Sequence, residues 1–394
     1  MNTDTSEITD DSLAASLPRF RLFILGSGFS KPAGHPLGFE LLKMVRARMR
    51  EHFRAYDWDG PLEREISEWT ALYPNREVAL ESVLAYSHRK HFLKLIGSDE
   101  YFEHGSRTIT SARAIIQEIL SKDVEASSKG LYERFCAALT PYDLVLTFNY
   151  DTVLEDTLDR LGIAYSLSPE WWLDDEKRGK PPHDQKAEFV DVLKLHGSID
   201  WYDRRYYDES RAYSNSTGVD VPDKDPLFGA NAWVPIEPLN RGAISGEYGQ
   251  ELLSRVFRVP NHRQHFPFRS GSFSEVPFLL PPAYDKILGH DPIRELWSNM
   301  HRTMDSFSAI IMIGYSMPSY DSYAYEALGK LILDYQDGGD KNYWRQPRTP
   351  LQIVTLAASD RDVLEGIPFL EPARTRIWRD GFSESAIDWM NWGD

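Results

Sequence analysis

The stretch DVLKLHGSID, residues 191–200, joins an apolar run to a histidine, a glycine and a serine. Val192, Leu193 and Leu195 are typical of a buried β-strand, and His196-Gly197-Ser198 come where that strand should end. Such an end can be an ordinary part of a protein core, or it can direct an imidazole into a cleft. The rest of the sequence is needed to decide between these two interpretations.

Short apolar runs of this kind recur along the chain and alternate with segments of helical periodicity. Besides residues 189–195, the predicted strands are 20–26, 143–148, 276–282, 308–314, 351–357 and, at an edge, 375–378. The predicted helices are 36–53, 151–161, 291–307 and about 319–335, with a smaller helical module inserted after the first strand, over 55–140. This order predicts an α/β fold in which a mostly parallel sheet carries helices on both faces.

Two further segments are set apart by their composition. Residues 1–18 are acidic and polar, and we expect them to form a flexible tail. Residues 202–275 are polar and punctuated by proline and glycine, which predicts an irregular insert. Within it, Phe257 to Arg269 is the best candidate for a local basic patch, and a solvated loop is the simpler interpretation.

The overall composition narrows the class of protein. The 394 residues include 60 acidic and 44 basic side chains, and this net charge of −16 does not favour direct nucleic-acid binding through a broad basic surface. The one cysteine, Cys136, excludes a disulfide framework and a thiolate zinc module, and its helical surroundings predict a buried, inert thiol. We see no histidine cluster that predicts a metal site. Without a signal peptide or an apolar run of roughly 20 residues, a cytoplasmic protein with no direct membrane contact is expected.

In parallel sheets, ligands bind beyond the carboxyl ends of the strands, so the residues after each strand carry the most information. The first strand is followed by GSGFSKPAG, in which Gly26 and Gly28 permit close backbone approach and Ser27 and Ser30 offer hydroxyl groups. The dinucleotide pattern GxGxxG fails at Lys31. This loop is therefore equally consistent with nucleotide binding and with a plain tight turn.

The second strand is followed by TFNYD, whose Thr147, Asn149 and Asp151 would share one face if the strand continued. Asp151 is also a good N-cap for the helix that follows, which is the competing explanation for it. Because neighbouring strand ends meet at one edge of a sheet, Asn149 and His196 can lie side by side. His196 is then a candidate general base, the alternative being a histidine satisfied within the core.

The strand over 308–314 is followed by GYSMPSYD. Gly314 again permits close approach, and Ser316 can form a hydrogen bond to a ligand. The stretch does not match the GxSxG nucleophile elbow of serine hydrolases, because Pro318 stands where the second glycine is required.

The motifs GSGFS, TFNYD, KLHGS and IGYS, in this order and each at a predicted strand end, resemble those of the sirtuin-like (silent-information-regulator-like) domain family. More narrowly, they resemble its bacterial branch in anti-phage defence proteins. The resemblance covers about residues 20–360 and implies that 19–394 form a Rossmann-like NAD-binding domain. Two features depart from protein-deacylating sirtuins: the chain lacks their four-cysteine zinc ribbon, and GHPLGFELL stands where they carry Pro-Asp-Phe-Arg.

The resemblance implies a role for each matching residue. His196 would be the base, Asn149 would hold the nicotinamide ribose and the attacking water by two hydrogen bonds, and Asp151 would face the nicotinamide amide. The implied nucleotide-binding residues are Gly26, Ser27, Gly28 and Ser30 at the adenine-side phosphates and ribose, and Gly314 and Ser316 near the adenosine half.

The implied activity is that of an NAD glycohydrolase, which cleaves its substrate NAD to nicotinamide and ADP-ribose without a metal. Such an enzyme would act as an abortive-infection effector in bacterial anti-phage defence. Both departures argue against protein deacylation, and neither argues against NAD cleavage. The alternatives are an NAD-dependent deacylase or ADP-ribosyltransferase, and a sensor subunit that binds NAD or another nucleotide without turnover.

The resemblance also implies regulation by oligomerisation or by another protein. We expect a homo-oligomer, and a partner such as a hexameric ATPase or a phage-sensing subunit, since little sequence follows residue 360 to form a sensor domain. The insert 202–275 is a candidate for partner contacts or for a lid. The tail IDWMNWGD, residues 387–394, is either an oligomer contact or a helix packed on the chain's own core.

Overall fold

The computed structural model describes residues 19–53, 61–93, 95, 107–167, 189–218, 225–239, 255–265, 276–280, 306–318, 321–343 and 345–390. The predicted tail over 1–18 and most of the helix predicted over 291–307 lie outside the described residues.

Ten strands are described, of which six agree closely with the predicted apolar runs and four, of two or three residues each, were not predicted. In chain order they are β1 Arg21–Leu25, β2 Asp143–Thr147, β3 Tyr165–Ser166, β4 Val190–Lys194, β5 Trp201–Asp203, β6 Glu237–Pro238, β7 Val256–Arg258, β8 Ala309–Ile313, β9 Leu351–Val354 and β10 Thr375–Trp378. The segment 276–280 was predicted to be part of a strand and instead forms one isolated bridge, between Leu279 and Gly197. It crosses above the end of β4 rather than joining the sheet.

The described helices are α1 Ser27–Ser30, α2 Gly38–Phe53, α3 Pro61–Leu72, α4 Leu80–Phe92, α5 Arg107–Leu120, α6 Lys129–Ala137, α7 Val153–Leu161, α8 Arg204–Thr217, α9 His262–His265, α10 Ser322–Asp337, α11 Asp360–Gly366 and α12 Glu384–Met390. The ends of α2, α7 and α10 lie within three residues of the predicted positions. No helix was predicted at α1, α8, α9 or α11.

Seven strands form one parallel sheet in the order β10-β9-β8-β1-β2-β4-β3. The chain places β2 on one side of β1 and β8 on the other, so Leu25 lies opposite both Thr147 and Ile313. Every residue of β1, β2, β4, β8 and β9 is buried, as expected for a parallel sheet with both faces covered. The fold is thus a Rossmann-like α/β fold, and its strand order reverses at β1, where such sheets bind ligands.

The helical module has a core of its own, built from apolar side chains of α2, α3, α4 and α5 such as Val45, Trp69, Val83 and Ile116. Residues from the sheet side join it: Tyr150, Ile199 and Leu279 belong to the same cluster. Helix α6 packs instead on the main core. The two cores therefore divide at different residues from the predicted boundaries of 55 and 140, because α2 turns its apolar face to the module.

The insert over 202–275 is more regular than predicted in its described parts. It contains α8, and β6 and β7 pair with β5 in a small antiparallel sheet of order β5-β7-β6. Of the predicted basic patch, Phe257 and Arg258 lie in β7, and Arg258 forms a buried ion pair with Asp200. The side chain of Arg258 is therefore used inside the protein, in this ion pair, and not as part of a surface patch.

The structure also bears on two smaller predictions, for Cys136 and for the C-terminal segment. Cys136 is fully buried in α6, and this burial raises the pKa of its thiol, in line with an unreactive side chain. In the tail, Ile387 and Met390 pack on the main core, which favours the second interpretation of that segment. None of the helices in the described ranges combines the length and apolar character that crossing a bilayer requires.

Candidate functional site

A cavity of about 900 Å³ lies where β1, β2, β4 and β8 end, between the sheet and the helical module. Its volume is near the top of the range of roughly 300–1,000 Å³ typical of small-molecule sites, large enough for a dinucleotide. The predicted site residues on its wall are Gly26, Ser27, Gly28, Asn149, Asp151, His196, Gly314 and Ser316. The structure therefore brings eight of the nine predicted residues together, and Ser30 is the exception.

The glycines after β1 and β8 are required by the packing of the two loops on each other. A Cβ atom on Gly28 would lie 2.6 Å from Cα of Gly314, and one on Gly314 would lie 2.4 Å from Cα of Gly28. Gly314 also has a φ of +64°, in the left-handed region that favours glycine. The tight-turn interpretation of these glycines is therefore supported by geometry, although they do line the cavity.

The backbone amides of the same loop are already used within the protein. The N–H of Gly26 donates to the carbonyl oxygen of Ile313 at 3.0 Å, and that of Gly28 donates to the carbonyl oxygen of Gly314 at 3.0 Å. Their hydrogens are not available to a phosphate in this arrangement. The predicted contacts of the glycines with a nucleotide stay predictions, carried by their place on the wall alone.

Ser30 lies behind the cavity wall, at the end of α1, with only 1% of its surface exposed. Its Oγ accepts a hydrogen bond from Nδ2 of Asn149 at 3.1 Å, and the same Nδ2 donates to the carbonyl oxygen of Gly26 at 2.9 Å. Both amide hydrogens of Asn149 are thus donated to the protein. Asn149 can offer a ligand its Oδ1 oxygen, so the expected pair of hydrogen bonds to a water is reduced to one.

The polar residues after β2 do not share one face as predicted, because the strand ends at Thr147. The buried Oγ1 of Thr147 accepts the backbone N–H of Asn149 at 3.1 Å and turns the chain. Asp151 lies on the cavity wall, and its Oδ1 accepts the N–H of Val153 at 3.1 Å, so it assists the start of α7 as well. The two explanations for Asp151 are compatible.

A buried ion pair between β4 and α7 stabilises the backbone that follows β2. Nζ of Lys194 lies 2.7 Å from Oε1 of Glu155 and donates to the backbone carbonyl of Asp151. Both side chains are almost fully buried, so each needs the other to offset its loss of hydration. Lys194 thereby fixes the backbone of the cavity wall without touching the cavity.

His196 is held by its backbone and by aromatic neighbours. The N–H of Leu280 donates to the carbonyl oxygen of His196 at 2.9 Å, and the ring meets Phe148 edge-on with centroids 5.1 Å apart. Gly197, with φ of +79°, lies so close to the crossing segment that a Cβ atom would be 2.0 Å from the carbonyl oxygen of Phe278. His196-Gly197 therefore ends β4 because a neighbouring segment passes directly over the glycine, and the imidazole faces the cavity.

Sequence reasoning missed two carboxylates on the cavity wall. Asp321, at the start of α10, places Oδ2 2.9 Å from Nε2 of His196. Glu81, on α4, also lines the cavity, and burial together with the nearby charge of Asp321 raises the pKa of its carboxyl group. Asp321 follows GYSMPSY directly, so its position before a helical run signals a helix cap, but nothing in the sequence connects it to His196.

The described lining of the cavity has more acidic than basic side chains. It contains one guanidinium group, that of Arg76, and four carboxylates, on Glu77, Glu81, Asp151 and Asp321. Such a wall favours a ligand part that carries or develops positive charge. Among the described residues there is no group of three or more His, Cys, Asp or Glu side chains arranged to hold a metal ion.

Comparison with known proteins agrees, over part of the chain, with the family resemblance that the sequence motifs indicate. A family model for the SIR2-like domain matches residues 143–221, a range that includes Asn149, Asp151 and His196. A search of curated proteins finds none that matches. Sirtuin-like domains use NAD as a substrate.

Two solved structures are similar to this chain at low identity. "Structure of Sir2Tm bound to a propionylated peptide" is 14% identical, with a TM-score of 0.29 over 98% of this chain and 97% of that chain. "The Structural basis for Sirtuin Substrate affinity" is 14% identical, with a TM-score of 0.28 over 96% of this chain and 94% of that chain. Scores this low support no inference about the site. On this family match, residues 143–221 of the chain resemble a SIR2-like, that is a sirtuin-like, domain.

Proposed function

We propose that this chain is an NAD glycohydrolase, which uses water to split NAD into nicotinamide and ADP-ribose. One observation carries the proposal: Asn149 and His196, from the ends of the neighbouring strands β2 and β4, line one cavity with the loops after β1 and β8. At this edge of a Rossmann-like sheet, an amide can position a water and an imidazole can accept its proton, as a hydrolytic attack on a ribose carbon needs.

Asn149 would act through its Oδ1 oxygen. Because both Nδ2 hydrogens are donated, to Gly26 and to Ser30, the amide is fixed in one orientation with its oxygen as the group left for a ligand. An oxygen held in this way can orient one water or one ribose hydroxyl, and such positioning lowers the entropic part of the barrier. The loop after β1 then supports the attacking group indirectly, through Asn149.

His196 would accept the proton that the attacking water loses. A positioned general base typically contributes about 10²–10⁴ to the rate. The negative wall suits the same reaction, since positive charge develops on the ribose as the bond to nicotinamide breaks. Asp151 and Asp321 lie on that wall, where buried charges act more strongly than charges in water.

The helical module would limit the access of bulk water. Leu41, Trp69 and Leu120 from α2, α3 and α5 line the cavity opposite the strand ends. An apolar cover of this kind leaves room for a substrate while excluding most solvent. Hydrolysis needs a single water, so this arrangement is consistent with the proposed reaction.

Hydrolysis is preferred to protein deacylation on the composition of the chain. A four-cysteine zinc ribbon cannot form from one cysteine, and Cys136 is buried in α6. We further propose that the hydrolase serves as an abortive-infection effector in anti-phage defence, kept inactive by oligomerisation or by a partner such as a hexameric ATPase or a phage-sensing subunit. The resemblance of the four motifs to those of bacterial defence proteins supports this role.

The reaction class can be tested by product analysis in H₂¹⁸O. The purified chain is mixed with NAD, alone and with an acylated peptide, and nicotinamide and ADP-ribose are measured. We expect ADP-ribose with one ¹⁸O atom, formed at the same rate with and without the peptide. Products that appear only with the peptide would indicate acyl transfer, and NAD binding without products under all activating conditions would indicate a sensor.

The site can be tested in the same assay with Asn149→Ala. We expect turnover to fall by at least tenfold, since the fixed oxygen is lost. Asn215→Ala, on the exposed face of α8, is the matched control and should retain wild-type turnover. Equal rates for the two variants would remove Asn149 from the mechanism.

A further inference from the structure

A buried contact joins the ends of β4 and β8, two strands that are not neighbours in the sheet. Oδ2 of Asp321 lies 2.9 Å from Nε2 of His196, and the exposed fractions of the two side chains are 1% and 7%. At this separation and burial, the attraction between a carboxylate and an imidazolium is little screened by solvent.

The other oxygen of Asp321 is engaged by the helix that follows. Oδ1 accepts the backbone N–H of Ala324 at 3.4 Å, which makes Asp321 the N-cap of α10. The start of a helix carries partial positive charge, so it stabilises an ionised carboxylate. Asp321 is thus held in place as the N-cap of a helix of 16 residues, independently of its contact with His196.

We propose that Asp321 is a positioning residue for His196, which restrains the imidazole at the cavity wall and offsets the positive charge that the ring gains when it accepts a proton. The proposal rests on the proposed function in one respect, the use of His196 as a base. Asp321 itself needs no contact with the substrate. It acts as the buried carboxylate acts on the histidine in triads of other folds, through orientation and charge.

Other charged and titratable groups also line the cavity, and the effect of Asp321 must be distinguished from theirs. They are Tyr150 and Asp151 after β2, Arg76 and Glu77 before α4, and Glu81 on α4. Glu81 responds to the charge of Asp321, which places the two carboxylates within electrostatic reach of each other. Asp321 contacts the imidazole directly, at 2.9 Å.

The test is a titration of His196 followed by nuclear magnetic resonance on histidine-labelled protein. The chain has 11 histidines, and the His196 signal is assigned by its loss in His196→Gln. The key variant is Asp321→Asn, because asparagine is also a good N-cap and keeps the size of the side chain while it removes the charge. We expect the midpoint of the His196 titration to fall by about 1 pH unit or more, the usual effect of losing an opposite charge at this distance.

Two further variants separate charge from structure. Asp321→Glu restores the carboxylate and should return part of the lost shift. Ser359→Ala removes the side-chain cap of α11, a helix that does not line the cavity, and should leave the His196 midpoint at its wild-type value. An unchanged midpoint in Asp321→Asn, with the protein folded, would overturn the proposal.

Turnover adds a second, separate readout. If the proposed function holds, Asp321→Asn should lower kcat, by up to the roughly 10²–10⁴ that a general base supplies, with KM little changed. A wild-type chain without NAD turnover would count against the proposed function while the titration still decides the role of Asp321. A shifted midpoint with wild-type kcat would show that the contact exists and that it does not serve catalysis, which would also overturn the proposal.

Discussion

The two sides of the cavity are built in opposite ways. After β1 and β8, glycine backbones pack against each other with no space for a Cβ atom, and the amides of Gly26 and Gly28 bond within the protein. After β2 and β4, side chains present the polar atoms, those of Asn149 and His196, while Thr147 and Leu280 fix the backbone beneath them. We refer to these as the glycine side and the polar side.

This comparison shows that a glycine motif at a strand end need not be a phosphate-binding loop. Here the glycines bring two loops into contact, and the carbonyl of Gly26 anchors the amide of Asn149. The glycine side is thus a scaffold on which the polar side is oriented. Substitutions of the packed glycines should mainly reduce stability, whereas substitutions of Asn149 and His196 should mainly reduce activity.

The largest expected loss of stability comes from the ion pair below the polar side. Lys194→Met leaves Glu155 as an unpaired buried charge, which typically costs about 3–5 kcal/mol of unfolding free energy. Chemical denaturation measures this loss. The double variant Lys194→Met with Glu155→Leu should recover much of the stability, because apolar residues replace both charges. Equal stability of the single and double variants would show that the pair is not coupled.

The next effect probes the glycine side directly. Gly28→Ala places a Cβ atom against the backbone of Gly314 and should destabilise the fold by about 1–3 kcal/mol, the usual cost of overpacking. Gly130→Ala is the matched control, since Gly130 is also helical and has open space around it, and it should be neutral or stabilising by up to about 1 kcal/mol. If both variants unfold at the same denaturant concentration, the close loop packing has been misread.

A smaller effect tests the link between the two sides. Ser30→Ala removes one acceptor for Asn149 and should cost only about 0.5–1.5 kcal/mol of stability, the net value of a typical hydrogen bond. The fall in kcat should be larger than this small loss of unfolding free energy would suggest, because the amide of Asn149 is freer to rotate. Unchanged kcat in a folded Ser30→Ala protein would contradict the scaffold role of the glycine side.

Particular residues show how much of the fold and of the candidate site could be predicted from the sequence. The strands of the main sheet are predicted well because their apolar runs are buried on both faces, and the shared edge then follows for Asn149 and His196. Ser30 could not be placed, since its orientation depends on the turn of α1. Asp321 was missed for a different reason: 125 residues separate it from His196, and only the sheet order brings their strand ends together.

The smallest expected effect is a pH dependence confined to the polar side. Burial pushes the pKa of Asp200 upward, but Arg258 and Lys194 outweigh it and hold this pKa below its usual value. A lowered pKa stabilises the fold above the pKa of the unfolded chain, about 3.9, and that stability is lost as the pH falls through the folded-state value.

Hydrogen exchange between pH 6 and pH 3 can check this sign. Amides around Ser198, whose Oγ donates to Asp200, should lose protection on acidification before those of the loop after β1. Asp200→Asn should weaken the pH dependence. Simultaneous loss of protection on both sides would mean that acid acts on the whole fold rather than on this network.

The central claim is that the chemistry belongs to the polar side, and His196→Ala tests it most directly. Nicotinamide release and NAD affinity should be measured together on wild type and variant, in the same activated state. The account predicts that release falls by about 10²–10⁴ while NAD binding and the unfolding midpoint stay near their wild-type values. Wild-type release by a folded His196→Ala protein would contradict it.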